Sequence, residues 1–208
     1  MNTRLATFLS FILHPLLMPT VLFMILFFLA PVSLGLEGLE PMFRWIVIGF
    51  VFIYTFAIPA YLIYLLKRWG FISSLQLENL QERRLPYLLT ALIYGLLGYF
   101  LYNKNSSLFA CAYILWSITI VILCVALISF RWQISAHGAG IGGVIGALAG
   151  IMVKMGESAL FMPLLFCMIL AGYVLGARLQ LNAHTPKQAW AGLFLGVGLS
   201  LLAVSYFF

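Results

Sequence analysis

The chain has 208 residues, 64% of them hydrophobic and only 8% charged, with a formal net charge of +6. A soluble domain carries roughly 25% charged residues, so this chain cannot cover itself with a water-facing surface. The positive charge is too thinly spread for a nucleic-acid surface; in a membrane protein it suggests headgroup contact or an anionic ligand. With no Asp and five Glu, a carboxylate cluster for Mg²⁺ or Ca²⁺ is poorly supported.

Apolar runs long enough to cross about 30 Å of hydrocarbon recur along the chain. Backbone inside lipid must satisfy its own hydrogen bonds, so these runs are expected to be helices. The expectation is one all-α, polytopic membrane helix bundle of six to seven spans, filling residues 1–208 as a single domain. In chain order the spans fall at about 7–30, 43–66, 86–102, 107–129, 137–155, 158–176 and 188–208. The first is interrupted by His14, Pro15 and Pro19 and lacks a small-residue cleavage site, so it reads as a retained span rather than a signal peptide. In the fifth, Gly138, Gly142, Gly146 and Gly150 recur every four residues, a stripe that lets helices approach closely. A secondary reading makes its start a bare helix N-terminus open to phosphate. Cys111, Cys124 and Cys167 lie in apolar runs without metal or disulfide spacing, as packing thiols do.

The polar breaks carry the functional signal. Those at 67–85, 130–137 and 177–188 follow the second, fourth and sixth spans, which puts all three on one side of the membrane. They hold Glu82-Arg83-Arg84, Ser135-Ala136-His137-Gly138 and Arg178 to His184. Each has a plain reading: arginines anchor at headgroups, a histidine caps or packs at a helix start, and His184 sits exposed before Thr185-Pro186. Together on one face they suit a phosphoryl group. Arginine forks pair with phosphate oxygens, helix starts offer N–H donors, and one histidine can attack phosphorus while another protonates the leaving group.

Ser135-Ala136-His137, and Arg178 followed after five residues by His184, resemble two signatures of the type 2 phosphatidic acid phosphatase (PAP2) superfamily. Arg84-Leu85-Pro86 is a looser likeness of a third, and the resemblance spans residues 82–192. Ile134, Ala136 and Ala177 stand where the family has proline, glycine and serine, and two further departures bear on the chemistry. The lysine before the first signature is missing, and Gln188 stands where the family has an aspartate that orients the nucleophilic histidine; Glu78 or Glu82 could substitute.

The resemblance implies a metal-independent phosphatase, without cofactor, acting on a membrane lipid phosphate or diphosphate. Polyprenyl diphosphate, phosphatidylglycerol phosphate, phosphatidate and lipid A phosphates are the implied substrates. His184 would be the nucleophile and His137 the acid. Arg84, Arg83 and Arg178 would hold the phosphoryl oxygens, with Ser135 and the N–H groups at Gly138 completing the cradle. The alternatives are a lipid-phosphate binder or transporter that lost turnover, and an unrelated channel or secondary transporter.

The resemblance implies a bacterial inner membrane and an outward-facing site. The positive-inside rule gives the opposite sense. Arg4, Lys67, Arg68, Arg83, Arg84, Arg131, Arg178 and Lys187 fall on the site side, against Arg44, Lys104 and Lys154 on the other. Phosphate binding by several of these charges weakens that count.

Overall fold

The computed structural model describes residues 2–77 and 79–207; Glu78 lies outside them. The protein is an all-helical bundle, with no strand among the described residues. Seven helical spans are long and apolar enough to cross a membrane, which makes it a multi-pass membrane protein. They are α1 (Thr3–Leu29), α2 (Pro41–Arg68), α3 (Leu80–Lys104), α4 (Ser106–Ile128), α5 (Ala136–Met155), α6 (Ser158–Gln180) and α7 (Pro186–Phe207).

Two spans are broken where the sequence demands it. Pro15 and Pro19 remove backbone donors, and α1 relaxes through a single 3₁₀ turn at Pro15–Leu17. The His14 side chain accepts the Leu16 N–H at the start of that turn. In α2 the stretch Ile53–Ala57 is a π-helix just ahead of Pro59. The Tyr94 hydroxyl of α3 donates to the Thr55 carbonyl there, at 2.7 Å.

Two boundaries differ from the sequence expectation in ways that matter for the site. α3 begins at Leu80, six residues before Pro86, because the Asn79 side chain caps it by accepting the Gln81 N–H. α6 runs on to Gln180. Arg83, Arg84 and Arg178 are therefore helical residues, not loop residues.

The glycine stripe of α5 packs on α7, and the two make the most extensive helix–helix contact among the described residues. Cβ atoms added at Gly142 and Gly146 would collide with the Leu193 and Val197 carbonyls. The contact is reciprocal: Gly192 and Gly196 of α7 lie against the Ser135 and Ala139 carbonyls. Small residues at these positions permit backbone-to-backbone packing that no larger side chain would allow. At the head of the seam the Ser135 N–H donates to the Gln188 carbonyl at 3.2 Å, tying the start of α5 to the first turn of α7. Cys111 and Cys167 are buried in the main core, packed as small apolar groups.

Candidate functional site

One end of the bundle encloses a cavity of about 950 Å³. Its polar lining includes Arg83, Arg178, His14, His137, His184 and Gln133, and its deeper walls are apolar, with Leu22, Val121, Val125 and Val144 among them. A cavity with a cationic mouth and a greasy interior matches an amphiphile with an anionic head. Residues from the breaks at 67–85, 130–137 and 177–188 all line it, so the three segments meet at one end of the bundle.

The rotation of α3 decides which arginine enters. Successive helical residues point about 100° apart, so Arg83 and Arg84 cannot share a direction. Arg83 is buried and turns inward. Its Nε donates to the Leu77 carbonyl, and one terminal nitrogen reaches the Ile134 carbonyl at 3.5 Å. Arg84 turns away and lies over the Phe130 ring, 4.3 Å from its centroid; it does not line the cavity. The expectation that Arg84 clamps phosphate is corrected by this geometry, and Arg83 takes that position. Arg178 lines the same cavity from the last turn of α6, and its Nε is buried without a hydrogen-bond partner among the described residues. No carboxylate of the described residues lines the cavity. Buried charge is costly unless paired, so two guanidinium groups here favour an incoming anion.

His184 sits in the short link between α6 and α7 and is buried, not exposed. Its Nδ1 lies 3.2 Å from the Gln133 carbonyl oxygen. A carbonyl can only accept, so Nδ1 carries the hydrogen and Nε2 of the neutral ring keeps its lone pair. Gln133 closes a reciprocal contact by donating its side-chain N–H to the Ala183 carbonyl. Burial, and then the charges of Arg178 and Arg83, lower the His184 pKa to about 4; the Gln133 carbonyl and the Gln188 side chain pull weakly the other way. The imidazole is thus held neutral, as a nucleophile requires.

His137 occupies the first turn of α5. Its Nε2 is 3.1 Å from the Ser10 carbonyl of α1, so that nitrogen carries the hydrogen. His14 stands beside it, edge to face, with ring centroids 5.5 Å apart. His14 is the residue that sequence reasoning passed over, read only as an interruption of the first span. The available signal was His14-Pro15, a polar residue at a forced helix break, which delivers a side chain into the cavity beside His137.

Four further candidates have other engagements. The Ser135 hydroxyl accepts the Gly138 N–H at 3.2 Å, a helix cap. Gly138 faces the Ala189 carbonyl of α7. Neither lines the cavity, and the start of α5 is not a bare N-terminus. Glu82 accepts from both the backbone N–H and the hydroxyl of Ser73 on the exposed link before α3, away from His184. Gln188 accepts the Thr185 N–H at 2.9 Å and donates its own N–H back to the Thr185 hydroxyl at 3.4 Å. This is a capping box, which the run Thr185-Pro186-Lys187-Gln188 spells out in sequence. Gln188 also lines a smaller adjoining cavity of about 480 Å³ shared with His184 and Gln133. The group that orients the His184 ring at Nδ1 is the Gln133 backbone carbonyl.

Two cavity-lining residues, Leu77 and Asn182, have left-handed backbone at φ 51° and φ 50°. For a leucine this costs on the order of 1 kcal/mol or more. The Leu77 conformation brings its carbonyl to Arg83. Among the described residues no group of three His, Cys, Asp or Glu side chains is placed to hold a metal ion.

The fold and cavity define a class: a polytopic helical membrane protein with a cationic, histidine-lined chamber at one end of the bundle. No family model matches the chain, and no curated protein or solved structure matches it.

Proposed function

We propose that the protein is a membrane-embedded phosphatase that cleaves a lipid phosphate or diphosphate through a phosphohistidine. One observation carries the reading. The His184 imidazole, with Nδ1 committed to a carbonyl, shares a single amphiphilic cavity with two guanidinium groups that no described carboxylate neutralises.

The chemistry follows from those positions. Arg83 and Arg178 hold phosphoryl oxygens, and the apolar walls hold the lipid chain. The His184 Nε2 lone pair attacks phosphorus, a P–N bond forms, and the P–O bond to the lipid breaks. The Nδ1–H stays on the Gln133 carbonyl while the ring gains positive charge. His137, when protonated, gives its Nδ1 proton to the departing oxygen, since its Nε2–H is committed to Ser10. Water then cleaves the P–N bond, restoring the imidazole and releasing inorganic phosphate. No step needs a metal ion.

A second reading, a lipid-phosphate binder or carrier, has its own support. A backbone carbonyl and a glutamine amide beside His184 cannot stabilise an imidazolium as a carboxylate would. Phosphate release from phosphatidate and polyprenyl diphosphate by the purified protein separates the two. The phosphatase reading expects release that His184→Ala abolishes while lipid-phosphate binding persists, because the nucleophile contributes only as the new bond forms. Arg178→Ala weakens binding and rate together. Tight binding without release by the unaltered chain establishes the binder instead. Near-normal release by His184→Ala refutes the nucleophile assignment.

A further inference from the structure

Five of the eleven basic side chains do no work inside the fold. Arg4, Lys67, Arg68, Arg131 and Lys187 are exposed, and none makes a side-chain hydrogen bond or ion pair with a described residue. All five flank the end of the bundle that holds the cavity. Arg4 opens α1 beside the cavity-lining Thr7, Lys67 and Arg68 close α2, Arg131 precedes α5, and Lys187 opens α7. Trp69, Trp132 and Trp190 are exposed at the same end, where amphipathic rings favour the headgroup level.

The opposite end is different in kind. Arg44 donates three N–H groups to the carbonyls of Phe27, Leu36 and Leu39. Lys154 donates to the carbonyls of Val204 and Ser205 at the end of α7. Lys104 is the one basic side chain there that is exposed without such a bond among the described residues.

Cationic residues flanking the spans set orientation, and the basic side stays in the cytoplasm. The objection to counting charges here is that phosphate binding accounts for some of them. Only Arg83 and Arg178 line the cavity, where an anion could account for them, and Arg84 is engaged on Phe130. With those three set aside, five cations at the cavity end still face three opposite, and of those three Arg44 and Lys154 are held by backbone carbonyls. The bias keeps the direction it has in the raw sequence, without any charge that the cavity could account for.

We infer that the cavity end faces the cytoplasm, with its basic rim seated on the anionic headgroups of the cytoplasmic leaflet. The site then draws its anionic lipid from that leaflet, directly from the reactions that make lipid phosphates in the cytoplasm, and returns phosphate to that compartment. The orientation stands on the rim alone, whereas the statement about lipid and phosphate rests on the proposed function. It reverses the outward-facing expectation that the family resemblance carried.

The test uses the full chain in intact cells with a membrane-impermeant maleimide. Gln81→Cys reports the cavity end and Ser106→Cys the opposite end; both positions are exposed. Cys111 and Cys167 are buried and Cys124 lies within α4, so the unaltered chain is the blank. The expected result is Ser106→Cys labelled in intact cells, and Gln81→Cys labelled only after permeabilisation. The reverse pattern overturns the inference, as does equal labelling of the two before permeabilisation. Phosphate release from the same membranes is read separately. Loss of turnover with the expected labelling sinks only the functional reading; turnover with Gln81→Cys labelled from outside sinks only the orientation.

Discussion

His184 can be titrated in isolation, because the chain has only two other histidines, His14 and His137. Neither contributes to the depression of its pKa, which comes from burial and from Arg178 and Arg83. Replacing both with Asn leaves one imidazole, whose ring-nitrogen shifts in a ¹⁵N-histidine sample follow its protonation directly. An ordinary imidazole, with a pKa of about 6.5, is only ~3% neutral at pH 5. With its pKa near 4, the His184 ring is about 90% neutral at that pH, a difference of roughly 30-fold in reactive form. The shifts should therefore mark Nδ1 as protonated and Nε2 as bare down to pH 5. Adding Arg178→Gln should move the midpoint upward, because it removes the guanidinium that most opposes a charged His184 ring. If the chain is the proposed phosphatase, its turnover should stay flat from pH 7 to 5 as far as His184 controls it. A midpoint at 6 or above, or an Nε2-protonated tautomer, would refute both the burial argument and the role of the Gln133 carbonyl.

Other consequences follow from the same geometry. Arg83→Ala should lower kcat/KM for a lipid phosphate by about tenfold or more, the cost of one charged contact of roughly 1.5 kcal/mol, whereas Arg84→Ala should change it less than twofold; equal losses would mean that Arg84 reaches the substrate. Gly142→Ala and Gly196→Ala each force a methyl into a facing carbonyl and should cost about 1–3 kcal/mol, read as a lowered thermal midpoint in detergent. Gly198→Ala on α7 meets open space and is the matched control, so an equal drop there would show that the seam is not the cause. Phosphate release should survive exhaustive chelation, because the proposed steps use only imidazole and guanidinium groups; activity lost to EDTA and restored by Mg²⁺ would remove the histidine mechanism.

The spans were legible because lipid imposes one rule on all of them, a long apolar run, and the polar breaks between them were equally plain. Counting crossings brought Arg83, Arg178, His137 and His184 to one end without any knowledge of packing. Helix phase could not be counted in that way. Starting α3 at Pro86 left Arg83 and Arg84 in a loop, where either could bind, and only the Asn79 cap placed them on a helix, about 100° apart. Gln188 was matched to a motif position while its capping-box signature lay in the same four residues. His14 escaped because its importance depends on how far a proline-broken helix runs before it turns. No pattern marks Leu77 at all: a leucine with left-handed backbone is a choice made by the surrounding structure.

The glycine seam has a further consequence for the site at its head. His137 opens α5 and His184 immediately precedes α7, so the spacing of the two imidazoles is fixed by how one helix sits along the other. A smooth interface could slide; this one is notched, with Gly142, Gly146, Gly192 and Gly196 each against a backbone carbonyl from across the gap and Gly150 against the Val204 side chain. The next register that would fit the notches lies one repeat away, roughly 6 Å along the axis, and would displace the two imidazoles from each other by that step. The seam therefore works as a vernier, converting lateral packing along its length into a calibrated distance at its end. Gly150 lies roughly 20 Å down α5 from His137, yet it takes part in setting where that ring stands in the cavity.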